Sequence, residues 1–289
     1  MSASSESARI SPTAHYTGYV WFRNGLGHPA FQTREGQLLY TAVKPMVAAY
    51  GLMGGPSLEK MLLARHHAID SLLERAIESG EVGQVVEVAA GLSPRGYRFR
   101  QRYDVTYVEG DLPDMAERKR SILTTAGLLR DGHHVVALDA LASEGPDSAL
   151  EVCMPLLDPT VGTAVITEGL VNYFDPGSLA RMWRNFAALL GEFPRGIYLS
   201  DLHTDEDSMR LRGALWFKRL LSVFARGAVH MHFRTEQDVR AALTTAGFRG
   251  VELPFPAHVT PAASSSGRAG TMLRIVNART GLDFVGKDG

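Results

Sequence analysis

The sequence predicts an α/β domain with a mostly parallel sheet, entered through a helical section. Three observations predict it. After Gly80 short β-branched runs alternate with helical stretches, the texture of βαβ units. One run breaks at a small-residue turn, VVEVAAGLSPRG over 85–96, and the next ends on acidic residues, YVEGDLP over 107–113. Ahead of Gly80 the pattern is helical from about residue 12, with no strand-like run.

Residues 1–11 are polar and Ser-rich and are expected to form a flexible tail. Residues 12–80 form the helical section, and 81–289 the α/β core. Gly54, Gly55 and Pro56 break the helical section before its last helix. In that helix Leu58, Leu62, Ile69, Leu72, Leu73 and Ala76 recur at three- and four-residue spacing, which makes one apolar stripe. Arg65 falls inside the stripe. Strands are expected at 84–90, 105–109, 134–139, 163–168 and 196–201, with two more at 250–255 and 271–277. Helices are expected at 94–100, 114–130, 178–190, 207–224 and 236–246, the last ending at Gly247. The Ser-, Ala- and Gly-rich stretch 261–270 reads as a loop.

Composition narrows the function. The 289 residues are 45% hydrophobic and 21% charged, enough for a packed core and an ordinary surface. A formal net charge of -1 exerts no long-range pull on nucleic acid or anionic lipid, so the expected partner is a small molecule. The single Cys153 excludes an internal disulfide and a multi-cysteine metal cage, which suits a cytoplasmic, reducing compartment. No signal-like start and no stretch long enough to cross a bilayer is present, so a soluble protein is expected. The His pairs at 66/67 and 230/232 lack zinc-site spacing, and no metal is expected.

The turn after the first strand has nucleotide-site chemistry. Small residues let backbone approach a ligand, and the helix start offers unpaired N–H groups. Ala89 and Ala90 stand where a dinucleotide fingerprint wants glycine, so the turn alone is a weak signal. Glu109 and Asp111 strengthen it, because an acidic group about 20 residues on, at a strand's carboxyl end, can accept from both ribose hydroxyls.

The strings VVEVAAGLSPRGYRF, YVEGDLPDMAERKR and ITEGLVNYF resemble the carboxyl methyltransferase family that includes the leucine carboxyl methyltransferases and the O-methyltransferase of tetracenomycin biosynthesis. The likeness runs from about residue 12 to 200, and AAGLSPRG is closer to the polyketide-tailoring branch. It implies a Rossmann-like class I fold with a seven-stranded, mostly parallel sheet, helices on both faces and an N-terminal helical lid. It also implies S-adenosyl-L-methionine as cofactor. Carried over residue by residue, it has Glu87, Ala89 and Gly91 shaping the cofactor loop and Glu109 and Asp111 facing the ribose. Asp139 and Ala140 would meet the adenine, Arg65 the cofactor carboxylate, and Glu168 the methionine end and substrate. The residues agree on Arg65, since a guanidinium on an apolar stripe is costly unless an anion meets it or it snorkels past the helix edge. Tyr16, Tyr19, Trp21, Phe22 and Tyr40 fall in the lid, where rings pack and exclude water.

The protein-methylating branch carries Asp-Thr after its glycine loop, whereas Ser93 and Pro94 stand here, which argues against a phosphatase substrate. The expected reaction is therefore methylation of a small-molecule oxygen, first a carboxylate of a polyketide-like acid. Such an acceptor is ionised at neutral pH and needs a positive or hydrogen-bonding seat, for which Arg23, Asn24, Tyr173 and His203 are candidates. A phenol would instead need a base, and His203 is the first candidate. Two other readings share these motifs: an NAD-dependent oxidoreductase, and a binding protein that keeps the cofactor pocket without turnover.

Overall fold

The alternation after Gly80 forms one seven-stranded sheet: β1 (Gln84–Val88), β2 (Thr106–Asp111), β3 (His133–Ala137), β4 (Thr163–Thr167), β5 (Gly196–Leu202), β6 (Arg249–Glu252) and β7 (Arg274–Thr280). The computed structural model describes residues 3–52, 55–209 and 232–281, with side chains over 13–52, 55–207 and 232–281. Strand order is β3-β2-β1-β4-β5-β7-β6. β1 to β5 pair in parallel, and β7 pairs antiparallel with both β5 and β6. The order reverses between β1 and β4, so the crevice beyond their carboxyl ends is the expected ligand position.

Every residue of β1 and β4 is buried, as suits central parallel strands covered on both faces. Val86, Val88, Val108, Val165 and Tyr198 face one helical layer, formed by α6 (Ala149–Cys153), α7 (Pro176–Gly191) and α9 (Glu236–Ala246), where Met182, Trp183, Phe186, Val239 and Leu243 meet them. The alternate residues Val85, Tyr107, Ala164, Ile166, Ile197 and Leu199 face α3 (Leu58–Glu78) and α4 (Arg95–Arg102) through Met61, Leu62, Ile69, Leu73 and Phe99. Each fully buried Leu, Ile or Phe contributes about 1.5–3 kcal/mol. Truncating Ile69 or Leu73 to alanine would cost about 2–5 kcal/mol.

Local chemistry sets the helix ends. The Ser57 hydroxyl accepts from the Lys60 N–H to cap α3. Asp175 caps α7 ahead of Pro176, and a Thr235/Asp238 capping box opens α9, which ends at Gly247 with φ 113°. All members of the expected α3 stripe are buried or partly buried.

The helical section is α1 (Ala3–Arg23), a 3-10 turn at Pro29–Phe31 and α2 (Arg34–Leu52). Tyr40 of α2 stacks on Tyr16 and tilts against Tyr19 of α1, with ring centroids 5.9 and 5.3 Å apart. The pair is tied to the core by Asn24 and Tyr40 donating to Glu59, and by Arg118 of α5 (Pro113–Thr125) on Glu35. α1 passes directly over the turn after β1: a Cβ on Gly91 would lie 3.0 Å from Ala14 Cβ, and one on Gly18 2.9 Å from Leu92 Cβ.

Several expectations change, among them the ends of β1, α5 and β7, which differ from the expected bounds by two to five residues. α1 begins at Ala3, inside the segment read as a tail, because extending a helix by further turns costs little once it is nucleated. β3 ends at Ala137, two residues early. The stretch read as a loop contains α11 (Pro261–Ser264), with proline at its first turn, after α10 (Pro256–Val259). The helix expected over 207–224 begins as α8 (Asp205–Met209), and the rest lies outside the described residues, as does His230. Among the described residues no helix is long and apolar enough to cross a membrane.

Candidate functional site

The turn after β1 is held open by its own backbone. Ala89 takes φ 54° and Gly91 φ 49°, so an alanine occupies the left-handed region that costs a non-glycine residue about 1–2 kcal/mol. Ser93 N–H closes the turn on Ala90 O at 2.9 Å. The Gly91 N–H donates to Asp111 Oδ2 at 2.7 Å, and the Leu112 N–H to Oδ1 at 2.8 Å. This fixes the tip of β2 against the tip of β1. Burial raises the Asp111 carboxyl above its ordinary value, partly offset by these two donors.

A cavity of about 320 Å³ opens here, roofed by α1 and floored by the ends of β1, β2, β4 and β5. Arg65, Glu87, Ala89, Gly91, Asp111 and Glu168, all proposed from sequence, line it, as do Tyr173 and His203. Arg65 does not snorkel: it is 7% exposed, with Nε 2.9 Å from Glu168 Oε1 and an Nη 3.3 Å from Asp201 Oδ2. Gly169, at φ 69°, makes room for it, since a Cβ there would come within 2.9 Å of the guanidinium. Asp201 is fixed in turn by the Gly169 N–H at 2.6 Å.

Behind this wall lies an ionic network. Arg95 is wholly buried and donates to Glu87 Oε1 at 2.5 Å, Asp70 Oδ1 at 2.6 Å and Glu168 Oε2 at 2.6 Å. Tyr107 donates to Glu87 at 2.8 Å, Arg98 to Asp70 at 2.7 Å, and His66 Nδ1 lies 2.9 Å from Glu168 Oε2. Burial alone would raise the Glu168 carboxyl, but His66, Arg95 and Arg65 outweigh it and hold it well below the usual carboxylate range. Glu168 therefore presents a fixed negative charge at the end of β4.

Other proposed residues lie elsewhere. Glu109 sits one alternation below Asp111, under α4 and α5, where Lys119 Nζ at 2.7 Å and His133 Nε2 at 3.0 Å hold its carboxylate away from the cavity. Of the two acidic residues of β2, Asp111 at the strand tip is the one that lines the cavity. Asp139 and Ala140 are off the cavity wall because β3 stops short: Asp139 Oδ1 turns back to the Leu141 N–H, and the Ala140 carbonyl accepts from Asn185. From the lid, Tyr16 and Trp21 line the cavity, whereas Tyr19 and Tyr40 form the α1/α2 aromatic contact. Arg23 lies over the Tyr40 ring at 4.7 Å and Asn24 bonds Glu59, both exposed and outside the cavity.

Asp201, Arg95 and Asp70 were not singled out from the sequence. Asp201 carries the same signal as Glu168, an acidic residue at the carboxyl end of a parallel strand. No short-range pattern joins Asp70 and Arg95, which lie on different helices.

The arrangement suits a ligand with a ribose-like diol at one end and a mixed charge at the other, with Asp111 as diol acceptor, Arg65 as anion partner and Glu168 and Asp201 facing positive charge. The chain is 30% identical over 152 residues to a candidate S-adenosyl-L-methionine-dependent methyltransferase of Mycolicibacterium gilvum, covering 52% of this chain and 48% of the relative. It is 28% identical over 145 residues to leucine carboxyl methyltransferase 1 of Yarrowia lipolytica, covering 42% and 43%. The chain thus spans about half the length of the curated relatives it matches. In fold it is similar to a candidate methyltransferase from Thermobifida fusca, with TM-score 0.66, 11% identity and coverage of 93% and 94%. A DUF574 family protein from Streptomyces avermitilis gives TM-score 0.62, 15% identity and coverage of 93% and 97%. The family model for leucine carboxyl methyltransferase matches residues 42–187, half of the chain, a span that includes Arg65, Gly91, Asp111 and Glu168. On that match the chain belongs to the leucine carboxyl methyltransferase family.

Proposed function

We propose that this protein is an S-adenosyl-L-methionine-dependent methyltransferase that acts on an oxygen atom of a small molecule. The observation that carries the reading is one cavity at the switch point of the sheet, with Asp111 pinned by the Gly91 N–H at one end and buried Arg65 at the other. The names of the M. gilvum and Y. lipolytica relatives support it, as does the similarity in fold to PigF, whose structure holds SAH (TM-score 0.52).

The residues present fit that cofactor. Asp111 would accept from the ribose hydroxyls, and the left-handed turn at Ala89 and Gly91 lets the chain approach without side-chain bulk. Arg65 would hold the carboxylate, and the acidic pair Glu168 and Asp201 would face the ammonium and sulfonium charges. When bound, the cofactor supplies a methyl group that is already electrophilic. The protein's remaining task is to align the acceptor oxygen and keep water out. The roof of α1, tied down by Glu59 and Glu35, performs the second part. The family name points to a carboxyl acceptor, and the likeness to the polyketide branch to a natural product.

An NAD-dependent dehydrogenase fits less well. Its doubly wound sheet runs 3-2-1-4-5-6, whereas here antiparallel β7 lies between β5 and β6. A thermal-shift comparison tests the choice. A ligand at a hundredfold its Kd adds about 2.7 kcal/mol, which raises Tm by roughly 5–10 °C in a chain of this size. SAH is expected to give that shift and NAD none, and the reverse result would refute the reading. Incubation with a methyl-labelled donor and small aromatic acids and phenols then tests turnover.

A further inference from the structure

One peptide plane of the turn after β1, that between Ala90 and Gly91, has a partner at each end. Its N–H donates to Asp111 Oδ2 at 2.7 Å. Its carbonyl oxygen, Ala90 O, accepts from the Ser93 N–H at 2.9 Å and faces Lys119 Nζ at 3.4 Å. In a trans peptide C=O and N–H point in opposite directions, so whatever fixes the carbonyl also aims the N–H. A cation on the carbonyl further polarises the plane and strengthens the N–H as a donor.

Lys119 is 2% exposed and sits about 9 Å along α5 from Pro113. Helical side chains lean toward the helix N-terminus, which carries Nζ back toward the ends of β1 and β2. A cation buried this deeply is costly unless it is matched, and Glu109 matches it at 2.7 Å. Glu109 is steadied in turn by His133 Nε2 at 3.0 Å. Burial alone would raise the Glu109 carboxyl, but Lys119 and His133 outweigh it and lower it, so the carboxylate stays ionised. On α4, Gly96 leaves room for the cluster: a Cβ there would lie 2.6 Å from Glu109 Oε1 and 2.9 Å from His133 Nε2. All three groups are off the cavity wall, so they act on a ligand at one remove. Lys119 also acts through space on Asp111, lowering a carboxyl that burial raises.

We propose that Lys119 is a positioning residue of the cofactor site: braced by Glu109, it holds the Ala90–Gly91 peptide so that the N–H orients Asp111 for a ribose diol. The proposal rests on the methyltransferase reading and extends the ribose end of the site to a buried ion pair. Glu109 then serves the cofactor without touching it.

The full chain is tested with SAH as reference ligand and with adenosine and 2′,3′-dideoxyadenosine as competitors. The parent is expected to favour adenosine by about tenfold or more, since the diol donates to a charged acceptor. Lys119→Met should cut that preference to about threefold or less. The double variant Lys119→Met/Glu109→Gln leaves no unmatched charge of the pair, should melt cooperatively, and should show the same loss. In both, the Gly91 amide proton should move upfield in the NMR spectrum of the ligand-free protein as its bond to Asp111 weakens. A full preference for the diol retained in the folded double variant, or both nucleosides weakened by the same factor, would overturn the proposal, because a merely structural lysine acts on the two alike. If SAH fails to bind the parent, the methyltransferase reading fails. If the parent binds SAH and the variants discriminate as it does, only the assignment of Lys119 fails.

Discussion

Replacing Arg65 with alanine removes one guanidinium with two separable consequences. In the free protein Arg65 bridges Glu168 at 2.9 Å and Asp201 at 3.3 Å, with 9% of its side chain exposed. Breaking a buried pair costs about 3–5 kcal/mol. Here the low end applies, because Glu168 keeps Arg95 and His66, and Asp201 keeps the Gly169 N–H. A loss of about 3 kcal/mol lowers Tm by roughly 6–12 °C. The second consequence concerns the cofactor. Removing one partner of a buried charge pair weakens binding by about 2–5 kcal/mol, and again the low end applies, because the guanidinium is already engaged and gains less from a new partner. About 2 kcal/mol is a loss of roughly 30-fold in affinity. Calorimetry of S-adenosylmethionine or SAH binding, well below the variant's Tm, reads this directly. Arg65→Lys should recover part of the affinity by keeping the charge without the planar fork. Affinity unchanged in folded Arg65→Ala would refute the assigned role.

The network behind the cavity yields further expectations. Arg95→Met leaves Asp70, Glu87 and Glu168 short of their shared donor, and is expected to cost about 3–5 kcal/mol, read as a lower urea midpoint; an unchanged midpoint would show that the network contributes little. Burial alone would raise the Asp70 carboxyl, but His66, Arg95 and Arg98 prevail and bring it from 3.8 to about 2. Because the folded value lies below the unfolded one, the stability from Asp70, about 2 kcal/mol, is present above pH 4 and lost as pH falls through 2. Asp70→Asn should therefore show a shallower loss of stability between pH 4 and 2 than the parent, and an equal slope contradicts the assignment. Cys153 is fully buried in α6, and burial pushes its thiol up to about 12, so the native protein should leave Ellman's reagent uncoloured at pH 8 until denaturant is added.

Much of this was legible because it is local. The alternation of strands and helices, the small-residue turn and the α3 stripe with Arg65 inside it all follow from spacing within one or two elements, and each is found near its expected position. What spacing cannot give is depth along a strand. Glu109 and Asp111 lie two residues apart and read alike, yet one is sealed under α4 by Lys119 and the other reaches the cavity. The early end of β3 displaced Asp139 and Ala140 for a similar reason, since strand termini depend on how far the neighbouring strand can still pair. The partners of Arg65 and Arg95 come from four separate elements of the sheet and helices, which only the assembled topology brings together. Ala89 was read as a lost glycine, yet the surrounding turn imposes the left-handed conformation on it all the same.

The most direct measurement is a crystal structure of the protein grown with SAH. The adenosyl group should occupy the crevice over β1 and β2 with its ribose on Asp111, and the amino-acid end should meet the guanidinium of Arg65. Density for SAH at any other place, or an Arg65 side chain turned to solvent in that complex, would contradict it.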